Sequence, residues 1–193
     1  MREEKFDPKQ VYRFDPKTGT FFIDIDLDFY RELYSEWDFS PQHNRDLDED
    51  LLEYLSDCCD EIPNRSSLCI SMSLPQAAYD PQKEERARQG FYNFFRYQVR
   101  REKNRSRSYY AKIAKFLFLG TLLLILATSL DHLLSDIKNT EILTEGLIIG
   151  AWVSIWEVFS IIFFKLSEHR QRINTYRRLQ QAKIIYRYRP DPP

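Results

Sequence analysis

Two nearly uncharged stretches, fifteen residues apart, constrain this chain more than anything else in it. Phe116–Leu130 reads FLFLGTLLLILATSL and contains no charge. Gly146–Phe164 reads GLIIGAWVSIWEVFSIIFF and contains one, Glu157. Extended back to Ala111, the first stretch is twenty residues long, roughly 30 Å as a helix, which is the thickness of a bilayer core. A core helix of a small soluble domain keeps one polar face, and the first stretch has none for four turns. The pair therefore predicts a transmembrane helical hairpin.

The global averages conceal this. Mean hydropathy is -0.52 and 30% of residues are charged, as in a soluble protein. The charges are segregated, however. Residues 1–82 carry 8 Lys/Arg against 19 Asp/Glu, residues 83–115 carry 11 against 3, and residues 165–193 carry 8 against 2. Arg100, Arg101, Lys103, Arg105, Arg107, Lys112 and Lys115 precede the first stretch, whereas the segment between the two holds only Lys138. The positive-inside rule then puts both termini in the cytoplasm and a short acidic loop outside. The seven basic residues suit anionic lipid at the cytoplasmic face. Their position beside a span accounts for them without nucleic acid, the rival use of arginines interleaved with aromatics.

The expected organisation is an acidic cytoplasmic α+β head (1–82), a basic amphipathic linker helix (83–110), a first span (111–130), an extracytoplasmic loop (131–145), a second span (146–165), and a basic helix with a terminal strand (166–193). The fold class is thus an α+β membrane protein, a two-helix transmembrane hairpin carrying a small cytoplasmic α/β head on a long basic connecting helix. In the head, Val11–Phe14 and Thr20–Asp28 flank the turn-forming Asp15-Pro-Lys-Thr-Gly19 and predict a β-hairpin. The second strand alternates, with Phe21, Ile23, Ile25, Leu27 and Phe29 on one face and Asp24, Asp26 and Asp28 on the other. Asn44 or Asp46 is expected to cap a helix through Asp60, with Leu47, Leu51, Tyr54, Leu55 and Cys58 on its buried stripe and Pro63 closing it. Ser67–Leu74, ended by Pro75, predicts another strand, and the tail Ala182–Tyr188 has the composition of one that returns to the same sheet.

Within the spans, Gly146, Gly150 and Ser154 fall in one sector of the second helix, where another helix can approach closely; Gly120 and Ala127 offer a comparable groove on the first. The intramolecular hairpin is the expected partner, with a homodimer seam as the rival. Glu157 lies near mid-bilayer, where a carboxylate costs about 2.5–3.5 kcal/mol on insertion scales, so it should face protein or water. Thr121 is its expected hydrogen-bonding partner, with Ser154 and Ser160 as the other available ones. The competing reading has Glu157 side chains from several subunits lining a pore.

Enzymatic chemistry has little to stand on. The Asp24/Asp26/Asp28 stripe could hold a divalent cation, but a solvated sheet face is the simpler reading of three aspartates on alternate positions. No glycine-rich phosphate loop or nucleophile motif is present, and no cofactor is expected. Cys58, Cys59 and Cys69 are odd in number and include an adjacent pair, which argues for reduced thiols, not a disulfide framework or a zinc site. Residues 1–6 have no apolar core, so they do not read as a cleaved signal peptide.

The run Glu145-Gly-Leu-Ile-Ile-Gly-Ala-Trp-Val-Ser-Ile-Trp156, followed by a basic helix and a short strand, resembles a family of uncharacterised two-pass bacterial membrane proteins. Arg45-Asp-Leu, Glu61-Ile-Pro and the amphipathic helix entering the first span extend the likeness. Members of that family often carry proline within two residues of the second tryptophan, where this chain has Glu157-Val158. The resemblance implies a two-pass architecture in a bacterial inner membrane and supplies no activity. The expected function is a non-enzymatic adaptor that presents its head to a protein partner; the alternative is a self-associating channel or membrane-disrupting effector gated by that head.

Overall fold

Alternating apolar residues after Gly19 set the sheet. In the computed structural model, which describes residues 6–38, 45–133 and 140–190, Thr20–Asp26 forms strand β2. Phe21, Ile23 and Ile25 are buried, and Asp24 and Asp26 are exposed. β2 pairs antiparallel with β1 (Arg13–Asp15) across a turn in which the Asp15 carboxylate accepts from the Lys17 backbone N–H and the Thr18 hydroxyl. Gly19 closes that turn at φ 66°, a left-handed conformation that glycine adopts without a Cβ clash. The hairpin is shorter than expected at both ends. Pro8–Val11 forms a helical turn, α1, capped by Asp7, which removes Val11 from the first strand, and β2 stops at Asp26, which leaves Phe29 beyond the strand and 55% exposed.

Helix α2 spans Glu49–Glu61. Its N-cap is Asp48, whose carboxylate accepts from the backbone N–H groups of Asp50 and Leu51. Of the two expected caps, Asn44 lies outside the described residues. Asp46 is too early, because Leu47 pairs with Tyr34 in an isolated β-bridge and keeps the chain extended up to Asp48. Leu47 is buried through that bridge and not on the helix, and Tyr54 is 47% exposed; Leu55, Cys58 and Cys59 form the buried stripe.

Strand β3 (Ser67–Pro75) takes in the proline expected to end it. It lies parallel to β2, and β4 (Lys183–Arg189) lies parallel to β3, so the sheet order is β1-β2-β3-β4. The tail does return to the sheet. Registers Ile23↔Ile70↔Ile184 and Phe22↔Cys69↔Lys183 fix two faces. The first is the core face, packed with Leu55 and Cys59 from α2 and with Ile62 at its C-cap.

Helix α3 is continuous over Pro81–Leu133, so the expected linker helix runs on into the first apolar stretch as one element. Helix α4 covers Thr140–Ser160, a single π-helical turn follows at Ile161–Lys165, and α5 covers Leu166–Gln181. The expected loop 131–145 is correspondingly short, because Thr140–Glu145 is already helical; Lys138 lies outside the described residues.

Contacts divide the chain into two units, Met1–Arg100 with Ile173–Pro193, and Arg101–Arg172. In the first, Ala87, Phe91, Phe94 and Phe95 of α3 and Leu179 of α5 complete the core beneath the sheet. Phe95 packs edge-on to Phe94 at 5.3 Å and against Tyr176 at 5.9 Å. Burying a side chain the size of Phe95, which is fully enclosed, is worth about 1.5–3 kcal/mol. The second unit holds two helices long and apolar enough to cross a membrane, and their most apolar windows are only 11% and 22% buried. Phe118, Ile125, Trp156 and Phe164 stand out into the surroundings.

Candidate functional site: the hairpin and its polar contacts

The two apolar helices meet along a narrow seam. Gly120 and Ala127 are buried on α3, and Ala151, Ser154, Val158 and Ile161 are buried on the facing side of α4 and its π turn. Their spacing of three and four residues is that of a helix face pressed against one neighbour. At Gly120 the approach is tight: a Cβ there would stand 3.4 Å from the Ala151 carbonyl oxygen, from Ile155 Cγ1 and from Ser154 Cβ. A Cβ on Gly150 would stand 3.3 Å from Leu123 Cδ1. Gly146, expected in the same sector, is exposed with nothing within 4 Å of such a Cβ, so it takes no part in this seam. Helix α3 lies nearer the Ala151 side of α4 than the glycine spacing alone indicates. The Ser154 hydroxyl bonds back to the Gly150 carbonyl at 2.9 Å and adds no bond between the helices.

Glu157 departs from expectation too. Its partner is Lys165, 3.6 Å away, in place of Thr121, which is exposed. The π turn explains the pairing. On a regular α-helix, positions eight apart are about 80° out of register. A π turn takes in one extra residue, so Lys165 stands where the seventh residue would, about 20° from Glu157. The carboxylate is 38% exposed on its side chain and the amine 47%.

A second polar pair lies outside both apolar stretches. Glu102 of α3 and His169 of α5 meet with His169 Nδ1 2.5 Å from Glu102 Oε2, and their side chains are 4% and 11% exposed. Arg105 donates to the other carboxylate oxygen at 3.3 Å, and the Tyr109 ring lies 5.1 Å from the imidazole. Within the basic collar, Arg105 is thus partly engaged by Glu102 and Lys112 sits over the Tyr109 ring; Arg100, Arg101, Lys103, Arg107 and Lys115 are exposed. Sequence reasoning missed this pair. The residues are 67 apart, and no spacing in the sequence pairs one with the other.

In the sheet unit the aspartate stripe is matched by arginines. Arg13 makes a two-point contact with Asp24, at 2.7 and 3.1 Å, and Arg189 bridges Asp26 and Asp28. The Arg13 guanidinium, with help from Ser71, holds the Asp24 carboxyl below its ordinary value. These carboxylates are tied to their own cations, which is the arrangement of a braced sheet face. Burial pushes the Cys59 thiol up to about 11 and raises Cys69 as well.

Arg178 of α5 closes the carboxyl end of α2. It donates to the carbonyls of Cys59 at 2.6 Å, Ile62 at 3.0 Å and Pro63 at 3.0 Å. The last carbonyls of a helix have no partner inside it, and a cation is the favoured group there. Thr175 adds a bond from its hydroxyl to Asp60, at 2.5 Å. No protein-family model, no curated protein and no solved structure matches this chain.

Proposed function

We propose that this protein is a two-pass membrane adaptor, non-enzymatic, with its sheet unit and both termini on the cytoplasmic side of a bacterial inner membrane, where the sheet unit serves as the docking module for a protein partner. The observation that carries the reading is the place of the hairpin in the chain order. β3 and β4 are adjacent and parallel in one sheet, and both apolar helices lie between them in sequence. A single sheet occupies one side of a bilayer, so a chain that leaves it through one span must come back through another. The low burial of the apolar windows supports insertion, since a soluble core helix is covered by its own protein. The basic residues Arg101, Lys103, Arg107 and Lys115 favour contact with anionic lipid, and the likeness of Glu145–Trp156 to two-pass bacterial proteins points to the same membrane.

The rival is a self-associating channel, favoured by one observation, the half-exposed Glu157 in an apolar helix. Reconstitution into liposomes separates the two. The adaptor predicts no ion flux at any protein density, and protease added from the cytoplasmic side alone should remove the sheet unit from inverted vesicles. Flux that disappears in Glu157→Ala would replace the adaptor by the channel. A sheet unit protected in inverted vesicles would overturn the orientation.

A further inference from the structure

A cleft of about 660 Å³ opens at the amino ends of the three parallel strands, on the sheet face opposite the core. Its size falls in the range of small-ligand sites. Phe22 and Ile185 form an apolar floor, with the buried Cys69 between β2 and β4. Arg65, Ser66 and Ser67 line one wall as consecutive residues, and Lys183 enters from β4 beside Cys69.

The charges in this cleft are unevenly committed. Its acid, Asp15, already accepts from the Lys17 backbone N–H and the Thr18 hydroxyl, and Arg178 spends its guanidinium on the α2 carbonyls. That contact neutralises a helix end that would otherwise repel an anion. Among the described residues, Arg65 and Lys183 have no side-chain hydrogen bond or ion pair, and neither do the hydroxyls of Ser66 and Ser67. Two uncommitted cations and two hydroxyl donors beside an apolar floor match a phosphate monoester with an organic body: a guanidinium and an ammonium take the oxyanions, and the floor takes the rest.

We infer that this cleft binds a small molecule carrying a phosphate monoester, with the phosphate on Arg65, Ser66, Ser67 and Lys183 and the organic part against Phe22 and Ile185. The inference goes beyond the adaptor reading and does not depend on it. The test uses the full chain in detergent micelles and isothermal titration with inorganic phosphate, adenosine monophosphate and short-chain phosphatidic acid, against sodium chloride of equal ionic strength. Saturable binding of adenosine monophosphate, tighter than inorganic phosphate, is expected. Arg65→Gln and Lys183→Gln, both at exposed positions, should each weaken it about tenfold or more, as loss of a charge-assisted bond does, with the circular dichroism spectrum and Tm unchanged. Phosphatidic acid bound more tightly through the same two residues would confirm the phosphate site and assign it to a lipid headgroup. No binding above the chloride control, or binding insensitive to both substitutions, would overturn the proposal.

Discussion

His169 Nδ1 lies 2.5 Å from Glu102 Oε2, joining α5 to α3 through a contact that solvent barely reaches. Removing one member of a buried hydrogen-bonded pair leaves the other desolvated and unsatisfied, which costs roughly 1–3 kcal/mol. Glu102→Ala and His169→Ala should therefore each lower the stability of the purified protein by about that amount. Arg105→Ala, whose side chain is 51% exposed, should cost under about 1 kcal/mol. A double-mutant cycle between Glu102 and His169 measures the coupling directly, and additive losses would show that the two side chains act separately.

The glycines of the apolar helices should respond unequally. Gly120→Val forces branched atoms into the backbone of Ala151 and the side chain of Ser154, so the helices must separate. Overpacking of this kind costs about 1–3 kcal/mol. Gly146→Ala meets open space and removes a helix-interior glycine, with an expected gain of up to about 1 kcal/mol. Thermal melts of the two variants in the same detergent should move in opposite directions.

Asp24 carries an acid-stability signature. Its folded carboxyl titrates below the ordinary 3.8, chiefly because of Arg13. A depressed carboxylate contributes stability that is full above the unfolded value and fades as pH falls through the folded one. The contribution should thus be present at neutral pH and disappear below about pH 4. Asp24 is 49% exposed, so solvent screening holds it to under about 1 kcal/mol. Arg13→Gln should lower stability more at pH 7 than at pH 3, where only its stacking on the Phe22 ring is lost, as urea titrations at the two pH values would report.

Thiol labelling tests the core. Cys58, Cys59 and Cys69 are all buried, and burial keeps Cys59 and Cys69 in the unreactive thiol form. Maleimide at pH 7 should modify none of the three in the folded protein and all three after denaturation, counted by intact mass.

Arg178 serves three carbonyls at once, a task suited to a planar fork and not to a point charge. Arg178→Lys should keep the charge yet lose about 1–3 kcal/mol from the sheet unit. Hydrogen exchange should rise first in the last turn of α2. Full protection in the lysine variant would reduce the contact to simple electrostatics.

Side-chain periodicity made much of this fold legible. The alternation from Phe21 to Leu27 gives β2 and its buried face, and the apolar runs give both long helices. What periodicity does not carry is the choice among neighbours. Asp46 and Asp48 are equal as caps until Leu47 bridges to Tyr34. A G-x-x-x-G on one helix says that a partner can approach, and only the partner's own residues, Gly120 and Leu123, say from which side. The π turn at Ile161–Lys165 has no glycine or proline to announce it, and it redirects Lys165 toward Glu157. Glu102 and His169 are single polar residues in polar surroundings, and their meeting depends on how α3 and α5 pack.

Placing both apolar helices between β3 and β4 has a consequence for how the protein is made. The ribosome delivers β4 last, so the central strand β3 waits with one edge unpaired until both long helices have been synthesised. On the two-pass reading proposed above, completion of the sheet doubles as a check on insertion. A chain that had threaded a bilayer an odd number of times would leave Ile184 and Tyr186 on the wrong side and one edge of β3 unpaired.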